Sequence, residues 1–235
     1  MLNPLREEVL EANLELVRRG LVLYTFGNAS GIDRGSGLVV IKPSGVPYNA
    51  MKPSDLVITD LAGSIVEGKM RPSSDLATHL ALYRFFPQIG GVVHTHSRSA
   101  TAWAQARSAI PCFGTTHADY FRGPIPVTDP MTSEEIGTSY EENTGHVIVR
   151  RLAGKDPLEI PAVLVAGHAP FCWGRNVTDA AYNAVVLEEV AALALATVSI
   201  QAQCTAISEA LLDKHFLRKH GADAYYGQSG SENSK

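Results

Sequence analysis

Two short apolar runs that each end in histidine constrain this chain more than any other feature. They are Ile89-Gly-Gly-Val-Val-His-Thr-His96 and Ala162-Val-Leu-Val-Ala-Gly-His168. Runs this short, with no polar alternation and with glycine at one end, predict strands covered on both faces. The rest of the chain alternates helices with further extended pieces. Leu5, Val9, Ala12 and Leu16 recur at helical spacing after Asn3-Pro4, which reads as a cap and a first-turn proline, and Gly20 ends the pattern. Ser73-Ser74-Asp75 starts a helix expected to run through Tyr83 and stop before Pro87, and further helices are expected over 101–106, 133–142, 178–203 and 211–220. The helix from Thr178 is apolar on nearly every side over 190–200, which predicts burial or a subunit contact. Other extended pieces are expected at 38–41, 56–59, 64–67 and 124–127. Helices and strands alternate irregularly, so the expected class is α/β with a mixed or antiparallel sheet and not a doubly wound parallel one.

Length and charge narrow the function classes. The 235 residues are within reach of a single α/β domain. Carboxylates outnumber Lys plus Arg by 24 to 20, giving a net charge of −4, which argues against a nucleic-acid partner held by phosphate contacts. Met1-Leu-Asn-Pro-Leu-Arg-Glu-Glu8 places two acids where a signal peptide carries an apolar core. No stretch has the roughly 18 uninterrupted apolar residues of a membrane span. Cys112, Cys172 and Cys204 are odd in number and form no C-x-x-C pair, which fits a reducing cytoplasm. The terminal stretch Gln228 to Lys235 is low in complexity and is expected to be disordered.

The chemistry gathers at the histidines. Alternate residues of a strand share a face, so His94 and His96 project together, and His168 follows the second apolar run directly. The bland alternative is a satisfied structural pair; with His168 added, a metal site is favoured. Three histidines leave a coordination position for substrate, the pattern of a catalytic zinc site. Ser73-Ser74-Asp75 is either a plain helix cap or, with its exposed amides and hydroxyls, an anion site. Lys42-Pro-Ser-Gly45 and Gly27-Asn28 add a cation, a hydroxyl and approachable backbone. Together these are the parts of a phosphate pocket without a nucleotide motif: no G-x-x-x-x-G-K-[ST] is present, and Gly35-Ser-Gly37 leads into a strand and not a helix. Asp119 reads as a turn aspartate or a general base, and Tyr225-Tyr226 as cover for the last helix. His79, four residues after Asp75, either supports that carboxylate or lies on a surface stripe, and Lys214-His215 with Arg218-Lys219-His220 forms a basic helix face.

Phe26-Gly-Asn-Ala-Ser30, Lys42-Pro-Ser-Gly45, Pro72-Ser-Ser-Asp75, His94-Thr-His-Ser97, Gly114-Thr-Thr-His-Ala-Asp-Tyr120, Gly167-His-Ala-Pro170 and Leu212-Asp-Lys-His-Phe-Leu-Arg-Lys-His-Gly221 with Ala224-Tyr-Tyr-Gly-Gln228 occur in this order. Over about residues 1–228 the chain thereby resembles the L-ribulose-5-phosphate 4-epimerase family of the class II aldolase/epimerase superfamily. The resemblance implies a class II aldolase-like fold, a single α/β domain with a central, mainly antiparallel sheet flanked by helices, and a homotetramer with active sites between neighbouring subunits. It implies Zn2+ held by His94, His96 and His168, with Asp75 adjacent to or on the metal. Ser44, Gly45, Ser73 and Ser74, with Gly27 and Asn28, would receive the phosphate of a sugar phosphate, with Lys42 close by. Asp119 and Tyr226 would be the acid/base groups, Tyr226 reaching in from a neighbouring subunit, with Thr115 and His215 near the reacting end. The implied activity is C4 epimerisation by retro-aldol cleavage and re-addition, in arabinose or ascorbate breakdown. The alternative is an aldolase of the L-fuculose-phosphate type, for which the resemblance implies a glutamate at position 75. A non-catalytic relative should have lost metal ligands, and none is lost. Phe26 stands where the family has tryptophan, and Gly167-His168-Ala169 where it has Ser-His-Gly; neither difference removes a ligand.

Overall fold

The computed structural model describes residues 2–221 and 223–226. Along the chain it forms α1 (Asn3–Arg18), β1 (Asn28–Asp33), β2 (Leu38–Ile41), β3 (Val57–Thr59), β4 (Ile65–Glu67), α2 (Leu76–Phe85), β5 (Gly91–His94) and α3 (Arg98–Gln105). There follow α4 (Thr115–Ala118), α5 (Ser133–Gly137), α6 (Tyr140–Arg151), β6 (Ala162–Leu164), β7 (Pro170–Gly174), α7 (Val177–Ile200) and α8 (Glu209–His220). The strands make one seven-stranded sheet in the order β4-β3-β2-β1-β5-β7-β6, with each neighbouring pair antiparallel.

Side-chain alternation divides the core between the two faces of this sheet. Val40, Val93, Ala162, Leu164 and Cys172 point to the side that α1, α3 and α7 cover. Val39, Ile41, Val92, Val163, Phe171 and Trp173 point to the side of α2 and α6. The glycines that open β5 have a packing cause. A Cβ on Gly91 would lie 2.3 Å from the Cα of Val177, so any side chain there would push the start of α7 off the sheet.

Several boundaries depart from the sequence expectation. Leu2, with a left-handed φ of 52°, takes the cap position, and Asn3 is already helical. The single helix expected over 133–142 is two, broken at Thr138-Ser139, and α6 runs on to Arg151. Residues 124–127 contribute only isolated bridges, Ile125 to Ile110 and Val127 to Leu164. α7 begins one residue before Thr178 and stops at Ile200, short of position 203. By length and composition α7 is apolar enough to cross a bilayer. Here its stripe of Val177, Ala180, Ala181, Ala184, Leu187, Val190, Ala191 and Ala194 is buried on the sheet, α1 and α3. Leu193 and Leu195 remain half exposed and Ile200 is exposed. The expectation for residues 228–235 lies outside the described residues.

Candidate active site

The neighbouring strand ends of β1, β5 and β7 gather the histidines. Register pairs Asn28 with His94 on one side and Phe171 with His94 on the other. His94 donates from Nδ1 to the Pro170 carbonyl at 2.9 Å, and its ring stacks on Phe171 with centroids 4.2 Å apart. That bond fixes the tautomer of the neutral ring and leaves Nε2 bare. Nε2 of His96 lies 3.1 Å away, although His96 stands two residues beyond the end of β5. His168 completes the group after Gly167, whose φ of +73° turns the chain at the mouth of β7. One ring nitrogen from each of the three histidines lies within 4.8 Å of the others.

This donor set fits a metal ion. Nδ1 of His168 is buried with no hydrogen-bond partner among the described residues, a cost that a ligand bond at that atom would remove. Burial pushes the pKa of His94 down to about 4, with Asp75 opposing and His168 and His96 reinforcing. Burial likewise lowers His96 and His168. Neutral imidazoles are what a cation requires.

The surrounding cavity of about 590 Å³ is lined by Gly27, Asn28, Lys42, Ser44, Gly45, Ser73, Ser74, Asp75 and the three histidines. Its two serine loops are bonded to one another: Ser44 N donates to the Arg71 carbonyl at 2.9 Å and Ser73 N to that of Lys42 at 3.0 Å. Lys42 is 2% exposed, its ammonium reaching only the Pro43 carbonyl at 3.3 Å and the face of Tyr48 among the described residues. Burial lowers its pKa, so an anion is the partner this ammonium lacks. Gly27 has φ +74°, and a Cβ there would meet the His94 carbonyl at 2.8 Å. Asp75 occupies the cap position of α2, yet its side chain makes no capping bond. Instead, Oδ2 accepts from Asn28 Nδ2 at 2.6 Å, and the same amide donates to Ser73 Oγ. Burial alone would raise the Asp75 carboxyl, but attraction to His94 and His79 and the Asn28 bond outweigh it and hold it below its ordinary value. His79 is fully buried and bonded to Ser30 Oγ at 2.7 Å, so the surface-stripe reading of this residue is wrong.

The other expected residues do not line that cavity. Thr115 opens α4 and Asp119 closes it, packed against α8. His215 Nδ1 lies 3.0 Å from Asp119 Oδ1, and Arg218 binds both oxygens of the carboxylate. Tyr226 lies beneath Arg218 and Lys219, with ring centroid distances of 5.0 and 4.3 Å. Thus Asp119, His215 and Tyr226 form a second cluster within the same chain, with Thr115 on the same short helix. Sequence reasoning missed Tyr140 and Glu141, which line the histidine cavity from the start of α6. The signal was the small polar run Gly137-Thr138-Ser139, a helix break followed by a new start.

A family model described as the class II aldolase and adducin N-terminal domain matches residues 7–195. An L-fuculose 1-phosphate aldolase structure superposes with a TM-score of 0.76 at 24% identity, covering 90% of this chain and 94% of the other. YgbL from Klebsiella pneumoniae gives 0.71 at 24% identity, with 91% and 99% covered. The L-fuculose-1-phosphate aldolase of Thermus thermophilus gives 0.66 at 27% identity, with 86% and 98% covered.

Proposed function

The chain belongs to the family of class II aldolase and adducin N-terminal domains, and on that footing we propose that it converts L-ribulose 5-phosphate to D-xylulose 5-phosphate by inversion at C4. C4 of this substrate bears no acidic proton, so simple deprotonation there is closed. Breaking the C3–C4 bond leaves glycolaldehyde phosphate and the enediolate of dihydroxyacetone, and remaking the bond on the opposite aldehyde face inverts the centre. His94, His96 and His168 would hold a divalent cation, zinc in this reading, with Asp75 beside or on it. When bound, the cation supplies Lewis-acid polarisation of the ketone and charge stabilisation for the enediolate.

The remaining tasks fall to side chains. The Lys42 ammonium with Ser44, Gly45, Ser73, Ser74, Gly27 and Asn28 would clamp the phosphate and keep the aldehyde fragment in place while it rotates. Two proton-transfer groups are needed because the C4 oxygen points differently in the two epimers, and Asp119 and Tyr226 have the chemistry for this. Neither lines the cavity at its own chain's histidines, nor do Thr115 and His215. The reading therefore takes a homotetramer in which a neighbouring subunit delivers the whole cluster, and not Tyr226 alone. We place the enzyme in the cytoplasm, in pentose breakdown.

The observation that carries epimerisation over simple cleavage is Asp75, a short carboxylate tied to Asn28 at 2.6 Å and held back from acting as a base. The second reading, a sugar-phosphate aldolase, is favoured by the L-fuculose 1-phosphate aldolases among the similar structures. Metal-loaded protein is incubated separately with L-ribulose 5-phosphate and L-fuculose 1-phosphate, before and after chelation. Chelator-sensitive formation of D-xylulose 5-phosphate is expected. Release of free aldehyde and ketone fragments from L-fuculose 1-phosphate without that product would establish the aldolase instead.

A further inference from the structure

We propose that Arg218 is a positioning residue that fixes Asp119 and Tyr226 in one arrangement for proton transfer; this rests on the acid/base reading above. Its guanidinium grips the carboxylate as a fork, Nε to Oδ1 at 3.1 Å and Nη2 to Oδ2 at 2.8 Å. Its carbonyl accepts from the main-chain amides of Tyr225 and Tyr226 at 3.0 and 3.1 Å. Its guanidinium carbon lies 5.0 Å from the centre of the Tyr226 ring. One residue on α8 thus holds the plane of the carboxylate, the backbone of the tyrosine segment and the face of the phenol. A planar fork does this where a point charge does not, and it carries its charge at every accessible pH.

The other groups around Asp119 differ in kind. His215 Nδ1 shares Oδ1 at 3.0 Å, Lys219 Nζ is 3.6 Å from Oδ2, and His220 Nε2 reaches only the Asp119 carbonyl at 2.9 Å. His117, on α4 itself, turns away to the Gly123 carbonyl, and the Tyr120 ring lies under Lys219. Lys219 also faces the Tyr226 ring, at 4.3 Å, but among the described residues only Arg218 binds both oxygens of Asp119 and also the main-chain amides of Tyr225 and Tyr226. Burial works to raise the Asp119 carboxyl, but Arg218 and His215, with the charge of Lys219, hold it below its ordinary value.

The test compares Arg218→Met and Arg218→Lys in the full-length, metal-loaded protein. The first readout needs no substrate: carbon NMR follows the Asp119 carboxyl through its titration, assigned by its disappearance in Asp119→Asn. In Arg218→Met that titration is expected to move to higher pH, with Arg218→Lys between it and the parent; an unmoved titration overturns the proposal. The second is kinetic. With L-ribulose 5-phosphate, kcat is expected to fall about tenfold or more in Arg218→Met while KM changes less than about threefold. The acidic limb of kcat should shift to higher pH with the carboxyl. An unshifted limb, or a loss confined to KM, overturns the proposal. If the parent protein does not turn over this sugar phosphate, the functional reading fails, and the carboxyl titration still decides whether Arg218 governs Asp119.

Discussion

The two clusters of functional residues in this chain are built on opposite plans. The histidine cup stands on strand ends: His94 is clamped between Pro170 and Phe171, and neighbouring ladders set its place. The Asp119 cluster stands on a four-residue helix and on α8, held by ion pairs, with Tyr225 and Tyr226 largely exposed beside it. The first region centres on uncharged imidazoles, buried at His94 and open to the cavity at His96, and is fixed by strand register and the bond of His94 to the Pro170 carbonyl. The second is charged and adjustable. Under the proposed function the difference suits a division of labour in which one site would hold geometry and the other would move protons.

The comparison breaks most sharply at the cup. Replacing His96 by Ala should abolish stoichiometric metal binding, measured by elemental analysis, and lower turnover about a thousandfold or more. Retained metal and rate would remove the cup from the chemistry. Asp119→Asn should be the mirror image: metal content unchanged and turnover down about a hundredfold to ten-thousandfold. If that variant also lost its metal, the two regions would not be separable. A smaller effect is expected where the cup meets the serine loops proposed to receive the phosphate. Ser74→Ala should raise KM about tenfold and leave kcat within about threefold, since a hydrogen bond to a charged group is worth about that much in affinity. A fall in kcat alone would show that Ser74 contributes to the bond-breaking step.

The same contrast decides what could be read from the sequence. The cup was legible because its strands are apolar runs that end in histidine, a pattern local enough to see. The strand beside it was not. β1 reads Asn-Ala-Ser-Gly-Ile-Asp, residues of mostly low strand propensity, and it is a strand because its neighbours demand one. Gly31 admits Leu5 of α1, to which a Cβ would lie 2.9 Å away, and Ser30 Oγ is bonded to both His79 and Tyr83. β7 opens on Pro170, a residue that reads as a break yet fits the first position of a strand. The Asp119 cluster is invisible to local spacing, because its central ion pair joins residues 99 positions apart. Only the order of motifs across the whole chain pointed to Asp119 and Tyr226, and it did not disclose Arg218.

The smallest effect separates the regions by their response to acid. In the cup region, burial pushes His79 down to about 3 and His94 to about 4; in the Asp119 region, burial pushes His117 down to about 4. All three titrate near 6.5 once the chain unfolds. Between pH 6.5 and 4 the unfolded chain therefore binds protons that the folded chain refuses, so stability falls as pH falls and is unaffected by these groups above that window. Each such histidine adds a slope of at most about 1.4 kcal/mol per pH unit. Urea unfolding of chelated protein at pH 7.5, 6 and 5 should show the decline. His117→Gln should remove about one histidine's share of the slope, and His79→Gln a similar share from the other side of the comparison. Four lowered histidines, His79, His94, His96 and His168, against His117 alone put the greater acid sensitivity on the cup side. A pH-independent midpoint from 7.5 to 5 would mean that these imidazoles take up protons in the folded chain as readily as in the unfolded one, against the neutrality that suits the cup to a metal ion.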